Sequence, residues 1–229
     1  QFTWTLNSSN TRHPIVRMIT LVATAVAFVM ATATDRAFDS GVMWFAVPYL
    51  LIKALGLGLQ FSVSADENGQ RTAVAGFAAI SMTGLAAVLA GAFADPSIRI
   101  YWWLAAILLD LAAGFIGGRS QGWDIKPKHF AERHGLIIII ALGESLIVAA
   151  SAIAINELST DLLVSGGLAV AVTCLLWWSY FAWTREHLEE NLVKKKGALQ
   201  AQVGRDVYSF FHFLLVFGII GIAIGFEKI

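Results

Sequence analysis

Charged residues are scarce in this chain, at 14% of 229 positions, whereas hydrophobic residues make up 57%. An ordinary soluble domain is about one quarter charged, so this composition argues against that class. Cysteine is almost absent as well. The single one, Cys174, excludes an intrachain disulfide. The lack of charge therefore indicates an integral membrane protein.

Long apolar runs take the place of the missing charges. A helix needs about 20 apolar residues to cross roughly 30 Å of hydrocarbon, and seven stretches meet that requirement. We predict an all-α fold, a polytopic membrane helix bundle that forms a single domain over residues 1–229. The predicted spans are residues 15–34, 43–61, 72–93, 101–117, 136–154, 162–183 and 207–226.

Lys and Arg residues are distributed unevenly about these spans. The N-terminal segment with the first residues of the first span, where Arg17 lies, and the second, fourth and sixth connections hold 12 of the 16, and the opposite side holds three. The remaining one, Lys53, lies deep within a span. Because positive residues concentrate on the cytoplasmic side, this distribution predicts a cytoplasmic N-terminal end and an external C-terminal end for this chain.

Three ionisable residues fall near the middle of their spans. At the helical rise of 1.5 Å per residue, Lys53, Asp110 and Glu144 lie about 15, 13 and 12 Å from the starts of their spans. A charge at that depth costs roughly 2.5 to 3.5 kcal/mol, so these residues are candidates for an ion or proton site. His212, about one and a half turns into the seventh span, could connect them to the cytoplasm. The alternative is a structural role, with Lys53 neutralising one carboxylate while the other is a buried, protonated acid that links helices.

The segment before the fifth span resembles a short interfacial helix over residues 126–135, with Pro127 in its first turn. His129, Glu132 and His134 lie within it, but their spacing does not match the HExxH zinc motif. We therefore predict hydrogen bonding at the interface and no metal site. Neither a nucleophile with its base nor a metal-ligand pattern stands out elsewhere, so we expect neither an enzyme nor a cofactor.

The connection from Thr184 to Asp206 is interpreted as a charged extension of the sixth helix that breaks at Gly197. Glu190 and Lys194 fall in the i,i+4 register of an ion pair. The lysines at 194–196 either contact lipid headgroups or serve only to set the orientation of the chain.

The run from His129 to Ser145, HFAERHGLIIIIALGES, resembles the signature of the bacterial low temperature requirement protein A family. Two later stretches agree with that family, residues 175–181 (LLWWSYF) and residues 205–212 (RDVYSFFH). The positions that carry the resemblance are His129, Glu132, Arg133, His134, Gly143, Ser145, Arg205, Asp206 and Tyr208. The resemblance extends over essentially the whole chain and implies a multi-pass protein of the bacterial inner membrane that contributes to growth in the cold. It implies no molecular activity.

Two departures from the family pattern are present. Ala182 stands where many members have an acidic residue. The span with a Glu-Leu-Phe-Phe-Asp-like motif, with which members usually begin, is missing, so we expect a fragment that lacks helices at one or both ends. No signal-peptide pattern precedes the first span.

Three classes of function fit these observations. The first is a transporter coupled to protons or another ion, in which Glu144 and Asp110 take up the ion and Lys53 sets the charge of the site. The second is a non-transporting stress or assembly protein whose buried charges are structural. The third, a membrane-embedded enzyme, has the least support. The expected partners are the lipid bilayer and protons or a small solute, and nucleic acid is not expected.

The predicted orientation can be tested by cysteine labelling. A cysteine placed at Asn191 should react with a membrane-impermeant reagent only from the cytoplasm, and one placed at Asn156 only from outside, because the basic connections stay inside. Labelling of both positions from one side would contradict the seven-span topology.

Overall fold

The computed structural model describes residues 2–64, 70–117, 125–155 and 159–227, and these ranges contain no strand. Seven of their helices are long and apolar enough to cross a membrane, which confirms the predicted all-α membrane fold. Asn156, chosen above for labelling, lies outside the described residues. The seven helices run over Pro14–Ala31, Met43–Val63, Arg71–Phe93, Pro96–Ile116, Pro127–Ile155, Thr160–Lys194 and Gly197–Phe226.

The chain divides into two compact units, Gln1–Ile125 and Lys126–Ile229. The single domain expected from the sequence stays a prediction. The first unit contains α1 (Phe2–Ser8), α2 (Pro14–Ala31), a 3-10 turn (Asp35–Phe38), α3 (Met43–Val63), α4 (Gln70–Phe93) and α5 (Pro96–Gly117). The second contains α6 (Pro127–Ile155), α7 (Thr160–Ser179), a π-helical segment (Tyr180–Thr184), α8 (Arg185–Lys194), α9 (Gly197–Val203), a second π-helical segment (Gly204–Phe211) and α10 (His212–Glu227).

Small side chains form most of the apolar core of the first unit. This core joins α4 and α5 with the start of α3, and small residues let helix backbones approach closely in a membrane. Its buried members are Val42, Ala46, Ala87, Val88, Ala92, Trp103 and Ala106. The tightest approach is at Gly91, where an added Cβ would lie 2.8 Å from the Cβ of Trp102.

The turn between α4 and α5 is fixed by polar groups. Asp95 caps α5, since its Oδ1 accepts from the Ser97 hydroxyl at 2.6 Å and the Ser97 backbone N–H at 2.9 Å. These bonds hold the pKa of the Asp95 carboxyl below its usual range. The buried Arg99 guanidinium donates to the carbonyls of Gly91 and Ala94 at the end of α4 and of Asp39. It thus satisfies helix-end carbonyls that have no intrahelical partner.

The second unit differs from the sequence prediction at its first helix. The expected interfacial helix over residues 126–135 is not a separate element, because α6 runs without interruption from Pro127 to Ile155. Pro127 is compatible with the first position of a helix. Gly135 costs only about 1 kcal/mol in a helix interior, which is too little to end the helix where it packs.

The predicted extension of the sixth span is confirmed. The helix continues through the first π-helical segment into α8 and ends at Lys194, and Glu190 forms an ion pair with Lys194 at 3.1 Å. Gly197 then begins α9 with a φ of +57°. That left-handed conformation is readily available only to glycine, which explains the break.

The contact at Gly91 gives a stability test. Gly91→Ala should lower the stability of the purified protein by about 1 to 3 kcal/mol, because the new methyl group would overlap Trp102 in a packed interface. Gly76→Ala is the matched control on the same helix, since an added Cβ there meets nothing within 4 Å. Thermal unfolding in detergent should separate the two variants, and equal melting temperatures would contradict this account of the α4–α5 contact.

Candidate functional site

Two of the three predicted mid-membrane charges meet in the first unit. Nζ of Lys53 on α3 lies 2.8 Å from Oδ2 of Asp110 on α5, and the two side chains are 16% and 23% exposed. The Tyr49 hydroxyl donates to the same carboxylate oxygen at 2.9 Å. Tyr49 lies one turn before Lys53, so α3 presents both donors to Asp110 from one face.

Further polar groups lie on the helices around this ion pair. An added Cβ at Gly84 of α4 would be 3.5 Å from Asp110 Oδ1, so a glycine admits α4 beside the carboxylate. One turn earlier on α4, the buried Ser81 hydroxyl has no hydrogen-bond partner among the described residues. The same holds for Oε1 of Gln60, two turns beyond Lys53 on α3. The spanning helices of the first unit therefore contain buried polar groups that have no hydrogen-bond partner in the described part of the chain.

The third mid-membrane charge, Glu144, belongs to the second unit. Its side chain is exposed, and it forms no ion pair with any residue that the structure describes. Its membership of one site with Lys53 and Asp110 stays a prediction. Its neighbours Gly143 and Ser145 are half-buried and buried, and the Ser145 hydroxyl donates to the Leu142 carbonyl at 2.7 Å.

Two signature residues, His134 of α6 and Tyr208 of the second π-helical segment, meet the proton-site candidate His212 of α10 in the second unit. Together with Tyr180 of the first π-helical segment they form what we call the His–Tyr cluster. All four are buried. The His134 ring centroid lies 5.1 Å from that of Tyr208 and 5.3 Å from that of His212. Tyr208 and His212 stack at 5.2 Å. Phe130 closes one side, 5.4 Å from Tyr208.

The hydrogen bonds of the cluster determine the histidine tautomers. His212 Nδ1 lies 2.9 Å from the Val207 carbonyl, which can only accept, so this nitrogen carries a proton. In the neutral ring, Nε2 then accepts from the Tyr180 hydroxyl at 2.8 Å. His134 Nδ1 likewise donates to the Phe130 carbonyl at 2.8 Å. A proton arriving at His212 Nε2 would force the Tyr180 hydroxyl to change from donor to acceptor.

Tyr208 differs from the other members. It is 2% exposed, and its hydroxyl has no hydrogen-bond partner in the described part of the chain. Leaving such a group unpaired costs about 1 to 3 kcal/mol, so it calls for an explanation beyond packing. Tyr208 and Tyr180 both lie in π-helical segments, which are rare and often occur at functional sites.

The remaining signature residues lie outside the cluster. Arg133 Nε donates to Nε2 of the exposed His129 at 3.1 Å, and His129 Nδ1 lies 3.7 Å from Glu132. The buried His134 instead donates to the Phe130 carbonyl. The three residues considered as metal ligands, His129, Glu132 and His134, therefore do not converge. In the described ranges, no group of three or more His, Cys, Asp or Glu residues could hold a metal ion. The buried Arg205 donates from Nε to Oδ1 of its half-exposed neighbour Asp206 at 2.6 Å.

Sequence reasoning selected His212, His134 and Tyr208 for different reasons and did not place them together. It missed Tyr180, which it treated only as part of an aromatic span end, and Phe130. A usable signal was present, because Tyr180 lies in a stretch that also matches the family pattern.

The model of the bacterial low temperature requirement A protein family matches residues 1–229. The chain belongs to this family. The family assignment, the seven spanning helices and the absence of strands in the described ranges together establish a bacterial membrane protein of the low temperature requirement A type.

One curated relative of this chain is an uncharacterized protein of Rhizobium meliloti. It is 24% identical over an alignment of 248 positions, which covers 97% of this chain and 56% of the relative. The chain thus spans about half the length of the curated relative that it matches. No solved structure matches the chain.

The Lys53–Asp110 pair in this family member can be tested by a double-mutant cycle. Lys53→Met should destabilise the protein by about 1 to 3 kcal/mol, because it leaves the Asp110 carboxylate without its cation. Adding Asp110→Asn should recover part of that loss, with a coupling energy of at least about 0.5 kcal/mol. Thermal or denaturant unfolding in detergent measures each term.

The control combines Lys53→Met with Asp95→Asn. Asp95 is an exposed carboxylate away from the pair, so the two changes in the free energy of unfolding should add. Pairing Lys53→Met with Glu144→Gln tests the third member of the predicted triad, since relief would also appear there if Glu144 shared the site. Additive effects of Lys53→Met and Asp110→Asn would contradict a stabilising ion pair.

Proposed function

We propose that this family member couples the movement of protons, or of another small cation, to a conformational change or solute flux across the membrane, without enzymatic chemistry. The observation that carries the proposal is the Lys53–Asp110 pair, which lies with the Tyr49 hydroxyl in the middle of two spanning helices. Ionisable groups at that depth are costly and commonly mark ion pathways or proton relays.

Glu144 adds a second argument. Asp110 has a cation beside it, whereas Glu144 has none among the described residues. A carboxylate in an apolar span is tolerated when it is paired or carries a proton. Glu144 is therefore the residue we assign to proton binding, and Lys53 is the residue we assign as the counterion of Asp110.

The His–Tyr cluster supplies a further acceptor in the second unit. His134 and Glu144 lie on the same helix, about 15 Å apart along its axis. The Tyr180–His212 bond joins two groups that can exchange donor and acceptor roles, as a proton relay requires. We assign His212 to proton transfer toward the end of α10 that the sequence predicts to be cytoplasmic.

A structural role is the second candidate, and one observation favours it. The spans α3, α5 and α6 are continuous through Gly56, Gly58, Gly114 and Gly143, whereas many transporters form their sites from broken helices. In a structural role, Lys53 and Asp110 would join α3 to α5 and take no part in transport of protons or other ions. The protein would then be a non-transporting stress or assembly factor.

Proton flux in proteoliposomes distinguishes the two functions. With an imposed pH gradient, Glu144→Gln should abolish protein-dependent flux while the melting temperature stays near that of the unaltered chain, because Gln keeps the shape but cannot exchange a proton. Asp161→Asn is the control, an exposed carboxylate in the first turn of α7. Flux that is unchanged in Glu144→Gln, or absent in the unaltered chain, would favour the structural role.

A further inference from the structure

A charged groove opens within the second unit, between the start of α6 and α8. Its volume is about 480 Å³. Phe181 and Val193 supply apolar surface, and both signs of charge line the rest. The charged residues are Lys128, Arg185, Lys194, Glu186, Glu189 and Glu190.

Most of these charged side chains form no ion pair within the described part of the chain. Glu190 and Lys194 form the one ion pair among them, and their side chains are 55% and 67% exposed, so the pair contributes little. The other four, Lys128, Arg185, Glu186 and Glu189, form no ion pair with any described residue. Two free cations and two free carboxylates therefore line one groove.

The position of the groove relative to the apolar spans indicates what it meets. Phe181 lies 3.6 Å from the position of an added Cβ at Gly135, directly before the apolar run that starts at Leu136. Lys128 lies about 12 Å from Leu136 toward the start of α6. Trp178 and Trp183 are exposed near this boundary, where tryptophan side chains prefer lipid headgroups. The end of the groove at Phe181 is thus at the depth of the headgroups, and the groove extends from there toward the aqueous side.

We propose that this groove binds the headgroup of a zwitterionic phospholipid with a primary amine, phosphatidylethanolamine. Arg185 and Lys128 would bind the phosphate, for which a guanidinium offers two parallel hydrogen bonds. Glu186 and Glu189 would accept hydrogen bonds from the ammonium group. This binding does not depend on whether the protein transports protons.

The same chemistry excludes the two commonest alternatives. An anionic headgroup such as phosphatidylglycerol satisfies the cations but leaves the carboxylates facing negative charge. Phosphatidylcholine has the correct charges, but its trimethylammonium group donates no N–H bond and is recognised by aromatic cages. The groove offers only Phe181 as an aromatic wall.

Mass spectrometry of the intact protein with added lipids tests the proposal. The unaltered full chain should retain phosphatidylethanolamine about tenfold more than phosphatidylcholine or phosphatidylglycerol, the ratio expected from one additional charge-assisted hydrogen bond. The charge-balanced double variant Arg185→Gln with Glu189→Gln should lose this preference. The matched control, Lys195→Gln with Asp161→Asn, removes one charge of each sign outside the groove and should keep it.

A competition experiment on the unaltered chain tests the same proposal without relying on the folding of a variant. Soluble phosphoethanolamine should displace bound phosphatidylethanolamine, whereas phosphocholine should not. Equal retention of the three lipids, equal loss in the control variant, or displacement by neither soluble headgroup would each overturn the proposal. None of these outcomes tests the proposed function, which is judged separately by the proton-flux measurement.

Discussion

The absence of water within a bilayer is the constraint on which this structure depends. Polar groups in a span find few partners outside the protein, so the bonds that they form within the chain help to determine which helices meet. Arg99 binds the helix-end carbonyls of α4, and Asp110 binds both Lys53 and Tyr49 of α3. In the second unit, Tyr180 and His212 connect the first π-helical segment to α10. Apolar packing favours association of the helices, and these bonds give it specificity.

Small residues make the polar contacts geometrically feasible. Gly91 brings the backbones of α4 and α5 together at one level, and Gly84 admits α4 beside Asp110 at another. Without a hydrophobic driving force between helices in lipid, such close packing is a main source of stability. The ion pair and the glycine contacts therefore depend on each other, since a wider α4–α5 separation would expose the carboxylate to hydrocarbon.

Arg185 links the two polar regions of the second unit. It lines the headgroup-level groove together with Glu189. It also directly follows the π-helical segment that contains Tyr180 of the His–Tyr cluster. The groove and the cluster are therefore neighbours along one continuous helix.

The sequence by itself determined the fold class, the seven spans, the family and the break at Gly197, because hydrophobic run length and glycine chemistry are local properties. It also placed Lys53, Asp110 and Glu144 at one depth, since depth follows from the helical rise, but it was the structure that paired Lys53 with Asp110. Only the tertiary structure decided that Tyr180 joins His212, that His134 turns away from His129 and Glu132, and that α6 begins without a separate interfacial helix. These features depend on the rotation of one helix against another and on π-helical segments that shift a side chain around the axis. Neither quantity is encoded in the spacing of residues along the chain.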